Sequence, residues 1–303
     1  MTTALCPLEP PVFAARPDIR LIAADMDGTL LDDAGDLPAG FLPLLRELRR
    51  RGIVFCPASG RQYFNLFERF GRTELGELGE LGAKMVFIAE NGAYVLRQGR
   101  EVSSDCLAAD AVGRLVVAVR SVRATGVDLG AVVCGKRSAY VERGDAPFLA
   151  EVEKYFTRLR VVHDLLEPPD DDVVKVALFD FGSAEQTTAP AFAAFRDELQ
   201  VVVSGEHWVD VMSRSANKGR GIRALQQELG VTAAQTMVFG DFLNDLEMMD
   251  AAEFSFAMGN AHPALRARAR YVAPRNSENG VLRTIAAVLG IDGLDGQPPV
   301  PRC

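Results

Sequence analysis

The sequence has no apolar run long enough to cross a bilayer, no lysine- or arginine-rich block, no clustered cysteines and only three histidines. Each absence excludes something. Without roughly twenty consecutive apolar residues there is no membrane-spanning helix. Met1 to Arg20 carries Pro7, Pro10, Pro11 and Pro17 and lacks a basic start followed by an apolar stretch, so it does not read as a secretory leader. Cys6, Cys56, Cys106, Cys134 and Cys303 are odd in number, far apart and free of any CxxC pair. That pattern argues against a disulfide framework and a structural zinc site, and it fits a reducing, cytoplasmic setting. His163, His207 and His262 are too scattered to suggest a triad or a metal cluster and read as surface or packing residues. A formal charge of -8, nowhere reversed by a basic block, disfavours nucleic acid and anionic membranes as partners. Small phosphorylated metabolites stay open, because a bound cation can invert the field inside one pocket.

What is present is a repeated local grammar. Arg20 to Ala24 (RLIAA) is an apolar run ending abruptly in DMDGT, as a buried strand entering a polar loop would. Pro38 to Arg51 follows with Phe41, Leu44, Leu45 and Leu48 at helical spacing, stopped by Gly52. Ile53 to Ala58 then ends in Ser59-Gly60-Arg61, Met85 to Ala89 in Glu90-Asn91-Gly92, and Thr236 to Phe239 in Gly240-Asp241. Four apolar strands alternating with helices predict an α/β fold, a Rossmann-like parallel sheet covered on both faces, with ligands at the carboxyl ends of its strands. Residues 93–205 differ in texture. Strand-like pieces at Ala131 to Val133, Ala139 to Val141, Val173 to Phe181 and Val201 to Val203 mix with helical pieces near Ala108 to Val122 and Ala191 to Leu199, suggesting an inserted α+β domain. The core would then be discontinuous, 1–92 with 206–289, and 290–303, rich in Gly and Pro, would be a poorly ordered tail.

The chemistry-bearing residues fall at the ends of these strands. Asp25 and Asp27, one residue apart at the end of a buried strand, are costly unless a cation or a reaction uses their charge. Asp241 and Asp245 stand at another strand end and in the next helical turn, so four acids could converge, and an all-oxygen donor set suits magnesium better than zinc. Asp-Gly alone is an ordinary turn pair and Asp an ordinary helix cap. The accompanying Gly28, Thr29, Ser59-Gly60 and Lys218 make the acids more than that. Lys218 near a helix start opposes the dipole, although an exposed solvating lysine would look the same.

DMDGTLLDD (Asp25 to Asp33), ASGR (Ala58 to Arg61), NKG (Asn217 to Gly219) and GDFLNDLEMM (Gly240 to Met249) together resemble the four motifs of the haloacid dehalogenase superfamily. The long insertion between the second and third motifs, with ENGA (Glu90 to Ala93), MGNA (Met258 to Ala261) and RNSENGV (Arg275 to Val281), is similar to the Cof-type phosphatases and their α+β cap. The resemblance implies a nucleophile at Asp25 that becomes an aspartyl-phosphate, and an acid-base partner at Asp27. It implies magnesium held by Asp25, the Asp27 main-chain carbonyl, Asp241 and Asp245. Phosphate contacts would come from Ser59, Gly60, Lys218 and Asn244, while Arg61 and Asn91 would either face substrate or stabilise loops. Phe242 departs from the small or polar residue many relatives carry there. No cap motif is matched.

Two further matches are set aside. Gly130 to Arg137 (GAVVCGKR) approximates a phosphate loop but has Arg137 where Ser or Thr would bind magnesium, and Gly219 to Ala224 (GRGIRA) lies inside an expected helix. The expected activity is hydrolysis of a small phosphomonoester such as a sugar phosphate, nucleotide or cofactor phosphate. A phosphosugar mutase and a silent phosphate-binding protein are the alternatives, and dehalogenation is disfavoured by Asp27 and the acidic metal site.

Overall fold

The computed structural model describes residues 13, 16–71, 76–167 and 170–292. Most of the expected tail, and most of the proline-rich N-terminal stretch, lie outside the described residues. Fourteen strands occur among those described: β1 (Leu21–Ala24), β2 (Val54–Pro57), β3 (Val86–Ala89), β4 (Tyr94–Arg97), β5 (Arg100–Ser104), β6 (Leu129–Gly135), β7 (Ala139–Val141), β8 (Leu159–Val161), β9 (Val173–Asp180), β10 (Leu199–Gly205), β11 (Trp208–Ser213), β12 (Thr236–Gly240), β13 (Phe254–Ala257) and β14 (Tyr271–Val272).

The core sheet is parallel, in the order β14-β13-β12-β1-β2. Every residue of β1 and β12 is buried, as strands covered by helices on both faces require. Phe41, Leu44, Leu45 and Leu48 are the buried face of the helix Phe41–Arg50, as their spacing predicts. Among the described residues no helix is long and apolar enough to cross a membrane.

Strand β3 departs from the expectation of a fourth parallel strand. It touches the core sheet through the single parallel bridge Ala58–Ile88, while its ladder is antiparallel to β4, which pairs in turn with β5. The tight turn at Asn91 and Gly92 folds the chain straight back, so β4 pairs with β3, and neither β4 nor β5 joins the strands of the inserted layer.

The second layer is a six-stranded sheet, β10-β11-β9-β6-β7-β8, covered on one face by the helix Ala109–Ala124. Strand β11, expected in the core, pairs with both β10 and β9 here. The helix expected over Ala191 to Leu199 is instead the short turn Ala189–Ala191 followed by a 3-10 turn, Ala193–Asp197. Buried Phe192 departs from helical geometry between them, and Leu199 already opens β10. Gly130 to Gly135 of the segment resembling a phosphate loop lie in β6, a fully buried strand.

Alternation along β9 decides what each face of this layer does. Val176 and Leu178 point into the apolar cluster beneath the helix, while Lys175, Ala177 and Phe179 point the other way, toward the carboxyl ends of the core strands.

Candidate active site

Three neighbouring core strands deliver their carboxyl ends to one spot. Strand β1 runs directly into Asp25, whose backbone N–H donates to the Phe239 carbonyl on β12 and so fixes the two strand ends together. The chain then turns sharply over Met26 to Leu30. Gly28 sits at φ 76° with its α-carbon against the Asp241 carboxylate, a place no side chain could occupy. The turn puts Thr29 where its hydroxyl donates to Asp241 Oδ1 at 2.9 Å. From β12, Asp245 folds back, and its Oδ2 accepts the N–H groups of Asp241 at 2.9 Å and Phe242 at 3.2 Å. Asn217 caps the helix Lys218–Leu229 by accepting from the Arg220 N–H, which aims the first side chain of that helix into the acids. Lys218, wholly buried, donates to Asp25 and, at 2.7 Å, to Asp245.

Asp25, Asp241 and Asp245 bring ligand atoms within 4.8 Å of one another. Burial lifts the Asp25 carboxyl well above the usual range; Lys218 opposes this, and the neighbouring acids reinforce it. Burial, seconded by Asp245, pushes Asp241 up to about 7. Burial alone would pull Lys218 down, yet Asp245 and Asp25 hold it above its ordinary value. One lysine therefore faces three clustered acids. The uncompensated negative charge, carried on hard oxygen donors, fits a divalent cation.

Strand β2 leads to Ser59, whose N–H donates to the Ile88 carbonyl and whose hydroxyl accepts from the Arg61 N–H. Arg61 is buried and grips Asp27 with two parallel bonds, 2.7 Å from Nε and 2.5 Å from Nη2, while Asp27 itself stays half exposed. The remaining Nη1 reaches the Lys154 carbonyl of the six-stranded layer at 2.8 Å, and the guanidinium lies over the Tyr155 ring. Gln62 adds a reciprocal pair with the main chain of Arg158. Asn91, at φ 54°, stands behind the cavity wall. Its amide N–H donates to Asp210, and its carbonyl oxygen accepts from Asn244 at 2.9 Å.

Beneath these contacts lies a second buried lysine that sequence reasoning missed. Lys175 donates to the Gly60 carbonyl at 2.6 Å and pairs with Glu90 at 2.8 Å and Asp210 at 3.4 Å. Burial would pull it down, but Asp210 and Glu90 hold it above its ordinary value, while burial lifts Glu90 against the pull of Lys175. One signal was available in the sequence, a lysine inside the otherwise apolar run VVKVALF (Val173 to Phe179).

A cavity of about 450 Å³ separates the two layers. Asp25, Asp27, Ser59, Gly60, Arg61, Asp241 and Asn244 line its floor, together with Phe242, while Lys218, Asp245 and Asn91 stand behind it. Its roof is aromatic. Tyr155, Phe156, Phe179 and Trp208 all face it, with Trp208 packed at 4.9 Å on Phe179 and at 5.4 Å on Tyr155, centroid to centroid.

A family model described as haloacid dehalogenase-like hydrolase matches residues 22–285. A 5-amino-6-(5-phospho-D-ribitylamino)uracil phosphatase of Escherichia coli is 34% identical over 89% of this chain and 96% of its own. A Bacillus subtilis protein of the same name is 27% identical over 87% and 95%. Among solved structures, SMU.1108c from Streptococcus mutans superimposes with a TM-score of 0.79 at 25% identity, over 90% of this chain and 99% of that one.

Proposed function

The chain belongs to the haloacid dehalogenase-like hydrolases and is a phosphatase of that family, and on that premise we propose that it hydrolyses a small organic phosphomonoester through Asp25, with magnesium as its cation. One observation carries the reading. Asp25 ends a buried strand, is bonded to Lys218, and shares its surroundings with Asp241 and Asp245.

In the first step an Asp25 carboxylate oxygen attacks phosphorus, the bond from phosphorus to the leaving oxygen breaks, and Asp27 gives that oxygen a proton. In the second, water attacks the phosphorus of the aspartyl-phosphate, Asp27 takes the water's proton, the bond from phosphorus to the Asp25 oxygen breaks, and free phosphate leaves with the Asp25 carboxylate restored. Asp27 must give and take a proton, so one of its oxygens has to leave Arg61 when substrate enters. Ser59, the Gly60 N–H, Lys218 and Asn244 would hold the phosphoryl oxygens. Held by Asp25, Asp241, Asp245 and the Asp27 main-chain carbonyl, magnesium would neutralise the charge that builds as two anions meet.

The six-stranded layer, from the end of β5 to the end of β11, would be the inserted cap. For the substrate, the names of the Escherichia coli and Bacillus subtilis relatives favour a uracil joined to a phosphorylated polyol, and an aromatic roof over the cavity suits a flat ring. Phosphate release from p-nitrophenyl phosphate and a metabolite panel, with magnesium, with chelator and in Asp25→Asn, tests the reading. Magnesium-dependent release abolished by the substitution supports it. Phosphate transfer to a second hydroxyl, requiring a bisphosphate activator, would point to a mutase.

A further inference from the structure

The turn joining β10 to β11 brings Ser204, Gly205, Glu206, His207 and Trp208 to the cavity, over the side where the alcohol half of an ester bound at Asp25 must lie. Within this turn the His207 ring is held in one orientation. Its Nδ1 is 2.7 Å from the Gly182 carbonyl and 3.0 Å from the Asp180 carbonyl. Two carbonyls can only accept, so Nδ1 carries the proton and donates. That tautomer leaves the second nitrogen, Nε2, as the acceptor of the ring. The support beneath is itself fixed, because the Asp180 carboxylate accepts from the Gly182 N–H and from the hydroxyls of Thr187 and Thr188, all at 2.7 Å. The His207 ring also packs on Phe179, 5.8 Å between centroids, so it is part of the aromatic roof.

Charge narrows the leaving group further. Of the cations on the cavity wall, Lys175 is already held by Glu90, Asp210 and the Gly60 carbonyl, and Arg61 by Asp27 and the Lys154 carbonyl. The other charged side chains that the six-stranded layer contributes to the lining are Glu151, Glu206 and Asp210. A second phosphate or a carboxylate on the leaving group would meet net negative charge there.

We propose that His207 selects the leaving group, its Nε2 accepting a hydrogen bond from an N–H of a neutral, planar ring that lies against Phe179 and Trp208. This rests on the phosphatase reading above and adds to it a residue that determines specificity. A ring without the N–H forgoes that bond, and a ring methylated there also clashes with the imidazole.

The test compares 5-amino-6-(5-phospho-D-ribitylamino)uracil with its analogue methylated at both ring nitrogens, using magnesium-loaded protein, and repeats the comparison in His207→Phe, which keeps an aromatic ring and removes the acceptor. The wild type is expected to prefer the N–H ester by about tenfold to a hundredfold in kcat/KM, and the preference to fall to about one in His207→Phe. If thermal melting shows His207→Phe to be unfolded, His207→Ala supplies the second arm, and the wild-type ratio stands regardless. A wild type indifferent to methylation, or a folded variant that keeps the preference, overturns the proposal. Wild-type turnover of p-nitrophenyl phosphate with none of either uracil ester overturns it too and leaves the phosphatase reading intact. No magnesium-dependent turnover of any ester overturns the phosphatase reading and this proposal with it.

Discussion

Lys218 and Lys175 are the two buried lysines among the described residues, and they approach the cavity from opposite layers. Lys218 starts a core helix and faces acids that converge from strand ends lying side by side in one parallel sheet. Lys175 comes from the middle of a strand in the other layer and meets Glu90, Asp210 and the Gly60 carbonyl. Both are desolvated and both keep their charge through paired carboxylates. Their settings differ in what they can release. The Lys218 cluster has an excess of acids next to open cavity, with room for the cation and phosphate proposed above. The Lys175 cluster also borders the cavity, but its charge is taken up by its own partners, and it ties the roof to the loop that carries Ser59. On the function proposed above, buried charge serves the reaction in the first case and position in the second.

The sharpest break between the two is expected from Asp25→Asn, which removes the attacking oxygen from the first cluster. Turnover should fall by about 10⁴-fold or more with little loss of stability, read by phosphate release alongside a thermal melt. Lys175→Met should do the reverse. It strands Glu90 and Asp210 without their cation, at a cost of about 3–5 kcal/mol in urea denaturation, and adding Glu90→Gln and Asp210→Asn should recover much of that loss. Undiminished stability in the single variant would sink the positional reading. Lys218→Met should lower kcat by roughly 10²- to 10³-fold in folded, magnesium-loaded protein, as expected when one charge facing the transferring phosphoryl group is lost.

The smallest effect is a pH dependence confined to the first cluster. Asp241 lies at about 7 against an ordinary 3.8, so between those values the folded, metal-free protein keeps a proton that the unfolded chain has released. Stability of the metal-free protein should therefore fall as pH rises through that window. Magnesium removes the repulsion, so its stabilising shift in Tm should be a few degrees larger at pH 8 than at pH 5.5 in differential scanning fluorimetry. Equal shifts would mean that the acids do not share the cation.

The first cluster was legible in the sequence and the second was not, for a physical reason. Asp25, Ser59 and Asp241 each follow a short apolar strand directly, so strand end and polar residue are adjacent in the chain and can be read together. Lys175 has neither partner nearby in sequence, since Glu90 and Asp210 come from opposite sides of it along the chain. The Tyr94 to Ser104 hairpin was misplaced in the same way. Its sequence falls within residues 93–205, and only the reversal at Asn91 and Gly92 pairs it with β3 instead. The stretch from Ala191 to Leu199 looked helical from composition, which carries no record of buried Phe192 breaking the geometry.

Arg61 has a mechanical consequence. The same guanidinium that fixes both oxygens of Asp27 also rests on Tyr155 and holds the Lys154 carbonyl. Lifting the roof by even an ångström or two would shift the guanidinium that positions Asp27, so the setting of the proposed proton donor depends on the roof being in place. Stray phosphoesters too small to rest against the roof would then be hydrolysed poorly even when they reach Asp25.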